Sequence, residues 1–464
     1  MKKYLKLTTI FVLTALSTVF VACSDDDNDP FIPPMEEGDN IVDLAVATAD
    51  LSNLVAALQE ANLVSALEAE GPFTVFAPTN AAFETFLVDN GFTSVADVPE
   101  DVLAAVLLNH IVAGKNLSAD LSSGYVRSFA TSGPGGEELS LYINTANGVK
   151  INDATVVTAD VEATNGVVHI VDQVIGLPNI VDHATFNENL TELVAALTAD
   201  GNTTFTDLLS DIDETFTVFA PVNSAFTAFD NPDNNELDNI LSNHVIVGAA
   251  AFSSALTNSY ATTAGVNSDG DALSLYINTD DGVNLNGVST VAIADIVATN
   301  GVIHAVDAVI DIPTVVTFAL ADPNFSTLVS ALTELTPATD FAAVLSTPTG
   351  TDPAPFTVFA PTNEAFAALS AIPMEDDLTP ILQHHVIGGA NIRSGDLTPD
   401  GNTVTPATLE GDTFTITLPG TDGNIADVVD GAGNDGIGII AVDVQAGNGV
   451  IHVVDTVLLP DTTN

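Results

Sequence analysis

Six histidines fall into three pairs along the chain: His110 with His169, His244 with His304, and His385 with His452. Imidazole titrates near neutrality and is the commonest metal ligand, so such pairs invite an acid–base or metal-binding reading. Each second histidine is followed three residues on by an aspartate, Asp172, Asp307 or Asp455, a pairing that could orient a base for a nucleophile. Neither chemistry is completed. On a strand, an offset of three sets two side chains on opposite faces. A zinc site needs three or four ligands, and no cysteine or nearby third histidine supplies them; the neighbours His384 and His385 would point apart on a strand. G-x-S-x-G, H-E-x-x-H and phosphate-cradling glycine loops are missing from the sequence. The histidines therefore read as half-buried groups bonded to backbone, joining a helix end to a closing strand, and the chain reads as non-enzymatic. Calcium is the one cofactor that composition allows. Asp430, Asn434 and Asp435, or Asp230, Asp233, Asn235 and Glu236, offer hard oxygen ligands, though neither group has EF-hand spacing.

The elements that position these residues recur. FTVFAPTNAAF at Phe73 returns as FTVFAPVNSAF at Phe216 and FTVFAPTNEAF at Phe356, 143 and then 140 residues apart, with nine of eleven positions identical. One domain of ordinary size is repeated three times. In each copy FTVF alternates as a strand buried on both faces, and proline ends it. Asn80, Asn223 and Asn363 then precede an aromatic helix and read as its cap, being the only candidate common to all copies. Upstream, Leu51, Leu54, Val55 and Leu58, then Leu63, Val64 and Leu67, predict two amphipathic helices. Downstream, a helix near Val102–Leu108 leads to NHIVAG, NHVIVG or HHVIGG. Hairpins with turns at Asn147-Gly148 and Asp281-Gly282 follow. The third copy instead carries FTITLPG and a Gly- and Asp-rich insertion, Asp427 to Gly438. Each copy closes on NGVVHIVDQVI, NGVIHAVDAVI or NGVIHVVDTVL, entered by an Asn-Gly hairpin turn. The copies abut at Pro178 and Pro313, which predicts a semi-rigid rod.

Composition limits the partners. Among 464 residues, 62 are acidic and 7 basic, with 46% hydrophobic residues: the cores are apolar, the surface strongly anionic, and nucleic acid would be repelled. Lys2, Lys3 and Lys6 precede an apolar run from Ile10 to Ala22, a secretory leader by length. It ends at the single cysteine, Cys23. The box VFVAC resembles the processing site of bacterial lipoproteins, which implies a lipidated thiol and a membrane contact through lipid alone. Phe20 stands where such boxes usually carry leucine. SDDD at Ser24–Asp27 is similar to the surface-export signal of Bacteroidota lipoproteins, which implies an outer-membrane, cell-surface address. From Ser24 to Asn40 the chain holds seven acids, three prolines and no base, and reads as an extended tether.

Helices first and antiparallel hairpins later give an α+β class. FTVFAPTNAAF and NGVVHIVDQVI closely resemble the two signature segments of the fasciclin domain, and NHIVAG resembles its central tyrosine-histidine segment. The resemblance implies three tandem fasciclin-like domains at 39–178, 179–313 and 314–460, behind a leader at 1–22 and a tether at 23–38. Each would be a two-sheet β-wedge or sandwich flanked by helices, of a kind found in secreted and surface adhesion proteins. The family's tyrosine is replaced by Asn109, Asn243 or His384, so the receptor role tied to it in animal relatives is not carried over. An extracellular protein or polysaccharide is the expected partner. The alternative is a glycan-binding component of a polysaccharide-handling system, which the lack of tryptophan disfavours.

Overall fold

The computed structural model describes residues 38–396, 403–404 and 406–461; the leader, Cys23 and the tether as far as residue 37 lie outside them. Three domains share one topology. In the first, α1 (Ile41–Ala47), α2 (Ser52–Glu60) and α3 (Val64–Leu67) precede β1 (Phe73–Pro78). Then come α4 (Asn80–Asp89), α5 (Glu100–Leu108) and β2 (Ile111–Ala113), followed by β3 (Gly124–Arg127), β4 (Ser140–Asn144), β5 (Lys150–Ile151), β6 (Ala154–Ala163) and β7 (Gly166–Val171). The N-terminal apolar pattern becomes three helices rather than two. An Asn40 capping box starts α1, the chain bends by 108° into the α2 segment, and Asn62 turns it again at φ 56°. No single described helix is long and apolar enough to cross a membrane.

Seven strands run in the order β2-β1-β7-β6-β5-β4-β3, and the other two domains repeat that order. The long β6 joins the two halves: Ala154 and Thr155 pair with β5, whereas Val156 to Ala163 pair with β7 through two register shifts. One core lies between the helices and the β1/β7 half, around Leu54, Leu58, Phe83, Leu103 and Val168. A second lies between the halves, around Phe76, Leu141, Ile151 and Val171. Burial on both faces of the FTVF strand follows from this placement. Asp427–Gly438 in the third domain is an insertion only in part. Its first residues form the strand Ala426–Val429, the counterpart of β5, and the remainder is a longer turn into the strand Ile437–Ala446.

The sequence pattern of hairpins does not reveal one pairing: β1 and β7, 88 residues apart at their closing and opening ends (Pro78, Gly166), run parallel in the register Phe73↔Gly166 to Pro78↔Val171. The same parallel pair recurs as Phe216↔Gly301 and Phe356↔Gly449. A Cβ on Gly166, Gly301 or Gly449 would stand 2.1, 2.3 or 2.3 Å from the carbonyl oxygen of Phe73, Phe216 or Phe356. Glycine is needed there for close approach of two backbones, and not for a left-handed turn. The preceding asparagine clamps the helices onto this junction. Asn165 Oδ1 accepts from Ile41 N–H at 3.0 Å, while its Nδ2 donates to Leu67 and Ala69 carbonyls. Asn300 and Asn448 make the equivalent three bonds.

Neighbouring domains pack through a repeated contact. Ser140 on β4 accepts from Val297 N–H of the second domain, and Ser274 accepts from Gln445 N–H of the third, both at 2.9 Å. Tyr125 meets His183 edge-on at 5.7 Å, and Tyr260 meets Phe318 at 5.5 Å. The chain's two arginines both lie at these junctions. Arg127 donates to the Asp295 carbonyl at 2.6 Å, and Arg393 pairs with Asp271 at 2.8 Å.

Because the Cβ would meet backbone that cannot swing aside, Gly301→Ala is expected to destabilise its domain by about 3 kcal/mol. Alanine at exposed Gly270, where φ is +87° and space is open, is expected to cost only about 1 kcal/mol. Urea unfolding of the two variants checks the difference.

Candidate functional site

His110, His244 and His385 each follow the last turn of a helix and are buried. Nδ1 lies 2.7–2.8 Å from the carbonyl of Val106, Ile240 or Ile381 in the preceding turn. Nε2 accepts at 2.9 Å from the backbone N–H of Ile175, Ile310 or Leu458 after the last strand. An Nε2 that accepts leaves the proton on Nδ1, so the ring is the Nδ1–H tautomer with no lone pair free for a metal or a substrate proton. Burial pushes His110 and His244 down to about 4. The rings tie helix end to closing segment, and they are fully rather than half buried. His384 and His385 lie not on a strand but at the end of the helix Glu375–His384.

His169, His304 and His452 lie on the central strand and stack near Phe76, Phe219 and Phe359 at 5.4–5.8 Å. Their Nε2 atoms meet the carbonyls of Asn116, Ala251 and Ile392 at 2.8–2.9 Å. Opposite them is a residue that motif reading overlooks. Asp160, Asp295 and Asp443 sit at the β6 register shift and its counterparts with φ near +60°. Each carboxylate accepts from both the backbone N–H and the hydroxyl of Ser118, Ser253 or Ser394. The signal was present, because each aspartate falls nine residues before the second histidine. Asp172, Asp307 and Asp455 do not touch those histidines. Each takes a backbone N–H across the sheet, from Thr155, Thr290 or Gly438 at 2.7–2.8 Å.

The asparagine cap is corrected. Thr79 and Thr362 cap their own helices by accepting from Ala82 and Ala365 N–H, and Val222 leaves its helix without a side-chain cap. Asn80 instead caps α2, which has no side-chain cap of its own. Its Oδ1 accepts from Asn53 N–H at 2.8 Å and its Nδ2 donates to the Ala49 carbonyl. Asn223 with Glu192 and Asn363 with Thr327 repeat the bond. A helix that starts without its own cap carries unpaired N–H groups, and a neighbouring amide satisfies one of them.

The calcium candidates are not gathered into a cage. Asp430 is buried and accepts from Asn434 N–H, Asn434 Nδ2 and Leu459 N–H, closing its own loop; Asp435 is exposed. Asn235 donates to Asp311, away from exposed Asp233 and Glu236. Another set does converge. Among the described residues, His384, Glu410 and Asp412 form the one group of three whose ligand atoms lie within 4.8 Å of one another. The spacing of 26 residues between His384 and Glu410 concealed it.

These features define a class: seven-stranded α+β domains, arrayed in tandem, whose signature residues stitch backbone to backbone. The fasciclin domain profile matches residues 49–178, 188–313 and 323–460, and the chain belongs to the fasciclin family. It is 45% identical to Protein sll1483 of Synechocystis over 135 residues, covering 29% of this chain and 72% of that protein. With human periostin it shares 28% identity over 451 residues, 92% of this chain and 48% of periostin. A solved FAS1 domain pair from the insect cell adhesion molecule fasciclin I aligns with TM-score 0.38 and 20% identity, over 56% of this chain and 96% of that one.

Buried, neutral histidines set a pH dependence. His110 and His244 take up a proton near pH 6.5 when unfolded but only near 4 when folded. The unfolded state therefore binds more protons between these values. Stability is complete above about pH 6.5, falls as the pH drops toward about 4, and loses up to roughly 3 kcal/mol per ring. His110→Asn is expected to lower stability at pH 7 by about 1–3 kcal/mol, since it orphans buried backbone groups, while flattening the first domain's decline over that window. Urea unfolding at a series of pH values measures both effects.

Proposed function

We propose that this chain is a non-catalytic, surface-tethered adhesion protein, in which three fasciclin domains are held out from an outer membrane by a lipid on Cys23 and an acidic tether. The observation that carries the reading is the triple fasciclin match, which accounts for most of the chain. The histidine geometry supports it: groups that sequence offers for catalysis spend their ring nitrogens on backbone. Binding would then use domain faces and junctions, with an extracellular protein or polysaccharide as partner. A net charge of −55 favours a partner that is neutral, cationic or bridged by cations over bare anionic membrane or nucleic acid.

Tandem domains also favour weak contacts made many times, because each further engagement of a linked array is intramolecular. Packed junctions hold the three faces in a fixed relation, which limits the entropy lost when they bind together.

Cells producing the wild-type chain are expected to incorporate labelled palmitate into it and to retain beads coated with their own exopolymer. Cys23→Ala is expected to lose the label and the cell-associated retention, while the released protein still binds the coated beads. A Cys23→Ala chain that stays membrane-bound would contradict the anchor, and loss of bead binding by folded, released protein would contradict adhesion through the domains.

A further inference from the structure

The three repeats provide an internal comparison at one buried position. In the first two it is asparagine, hydrogen-bonded at both its Oδ1 and its Nδ2. Asn109 Nδ2 donates to the Gly176 carbonyl at 2.6 Å and its Oδ1 accepts from Ser128 Oγ at 2.7 Å. Asn243 does the same with the Asp311 carbonyl and Thr263. The third repeat replaces it with His384, which is 0% exposed. Its Nε2 has only a long contact with Gly431 N–H, at 3.4 Å, and its Nδ1 has no hydrogen-bond partner. That nitrogen faces Glu410 Oε2 at 3.5 Å.

A tight turn delivers the two carboxylates to the same point. Gly411 N–H bonds the Thr408 carbonyl, and Glu410 accepts from Asp412 N–H at 3.1 Å. Both carboxylates are partly buried. The far wall is bare backbone: a Cβ on Gly431 would stand 2.3 Å from Asp412 Oδ2 and 3.0 Å from His384 Cε1.

We propose that His384, Glu410 and Asp412 form a binding site, confined to the third domain, for one divalent transition cation of the zinc class. One neutral imidazole and two carboxylates neutralise a divalent ion, and the nitrogen ligand favours zinc over calcium or magnesium. At ligand bonds of about 2.1 Å, tetrahedral ligand atoms stand about 3.4 Å apart. His384 and Glu410 already have that separation; pairs at the 4.8 Å limit close by at most about 1.4 Å. Three protein ligands leave a coordination position to water. Loading places the Nδ1 lone pair on the metal and moves the ring proton to Nε2, so the long Gly431 contact opens and the ring releases no net proton.

The test is calorimetric titration of chelator-treated full chain with Zn²⁺, together with the visible spectrum after Co²⁺ addition. Wild type is expected to show one site per chain above the weak background of surface acids, and intense Co²⁺ bands of a four- or five-coordinate site. His384→Asn, which installs the residue of the other two repeats, is expected to weaken binding at least 100-fold and abolish the bands. Glu410→Gln, in a partly exposed turn where folding is not at stake, is expected to weaken it about 10-fold or more. Equal affinity and spectra in wild type and His384→Asn, or wild-type Co²⁺ spectra like those of the hydrated ion, would overturn the proposal.

Discussion

The fold depends on two backbones that come closer than any side chain would permit. The FTVFAP and GV(V/I)H strands lie side by side and parallel at the centre of every domain, and they start where the glycine meets the first phenylalanine carbonyl. A parallel pair needs a long crossover, and here the crossover is almost the whole domain. What sets the register is therefore local. Asparagine beside the glycine reaches the N-terminus of the first helix and the end of the third at once, so helices, strand and turn are fixed together. Recurrence of these two segments records a packing constraint, since their side chains and amides face one another across that seam.

Much of this was legible in the chain, and the reasons for the remainder are physical. Period, domain number, the buried FTVF strand and the late hairpins all rest on short-range patterns that sequence displays directly. The parallel pairing was not, because it is made across nearly 90 residues with no local signature. Asn80 reads from sequence as the cap of its own helix, and the structure places it on α2. An asparagine before a helix caps in cis by default, and only packing reveals that Thr79 already holds that place. Asp160 and its counterparts recur nine residues before the second histidine, but that spacing does not announce a left-handed conformation at a bulge. The His384 cluster is hidden for a different reason: its carboxylates lie at least 26 residues away in sequence, and the other two repeats carry asparagine in place of the histidine.

Charge organises the exterior as strictly as apolar packing organises the interior. With 62 acids and 7 bases, domains of one chain repel each other, and each junction needs an attraction to offset this. Both arginines are used there, beside tyrosines that supply apolar contact and serines that accept from buried backbone N–H groups. An array built this way presents acidic, stitched domains whose invariant residues face inward. Variation between repeats, as at Asn109, Asn243 and His384, is then where distinct properties arise.

The central claim is that the parallel seam holds each domain as one cooperative unit. Native-state hydrogen exchange on the folded chain tests it most directly, by following the amides of Val75, Ala77, Val167 and His169, which point across the seam, in increasing urea. The account predicts that these amides, with their equivalents in the other domains, exchange only through unfolding of the whole domain, with the domain's full denaturant dependence. Exchange of the seam by local opening, at a lower free energy than the β3–β4 hairpin, would contradict it.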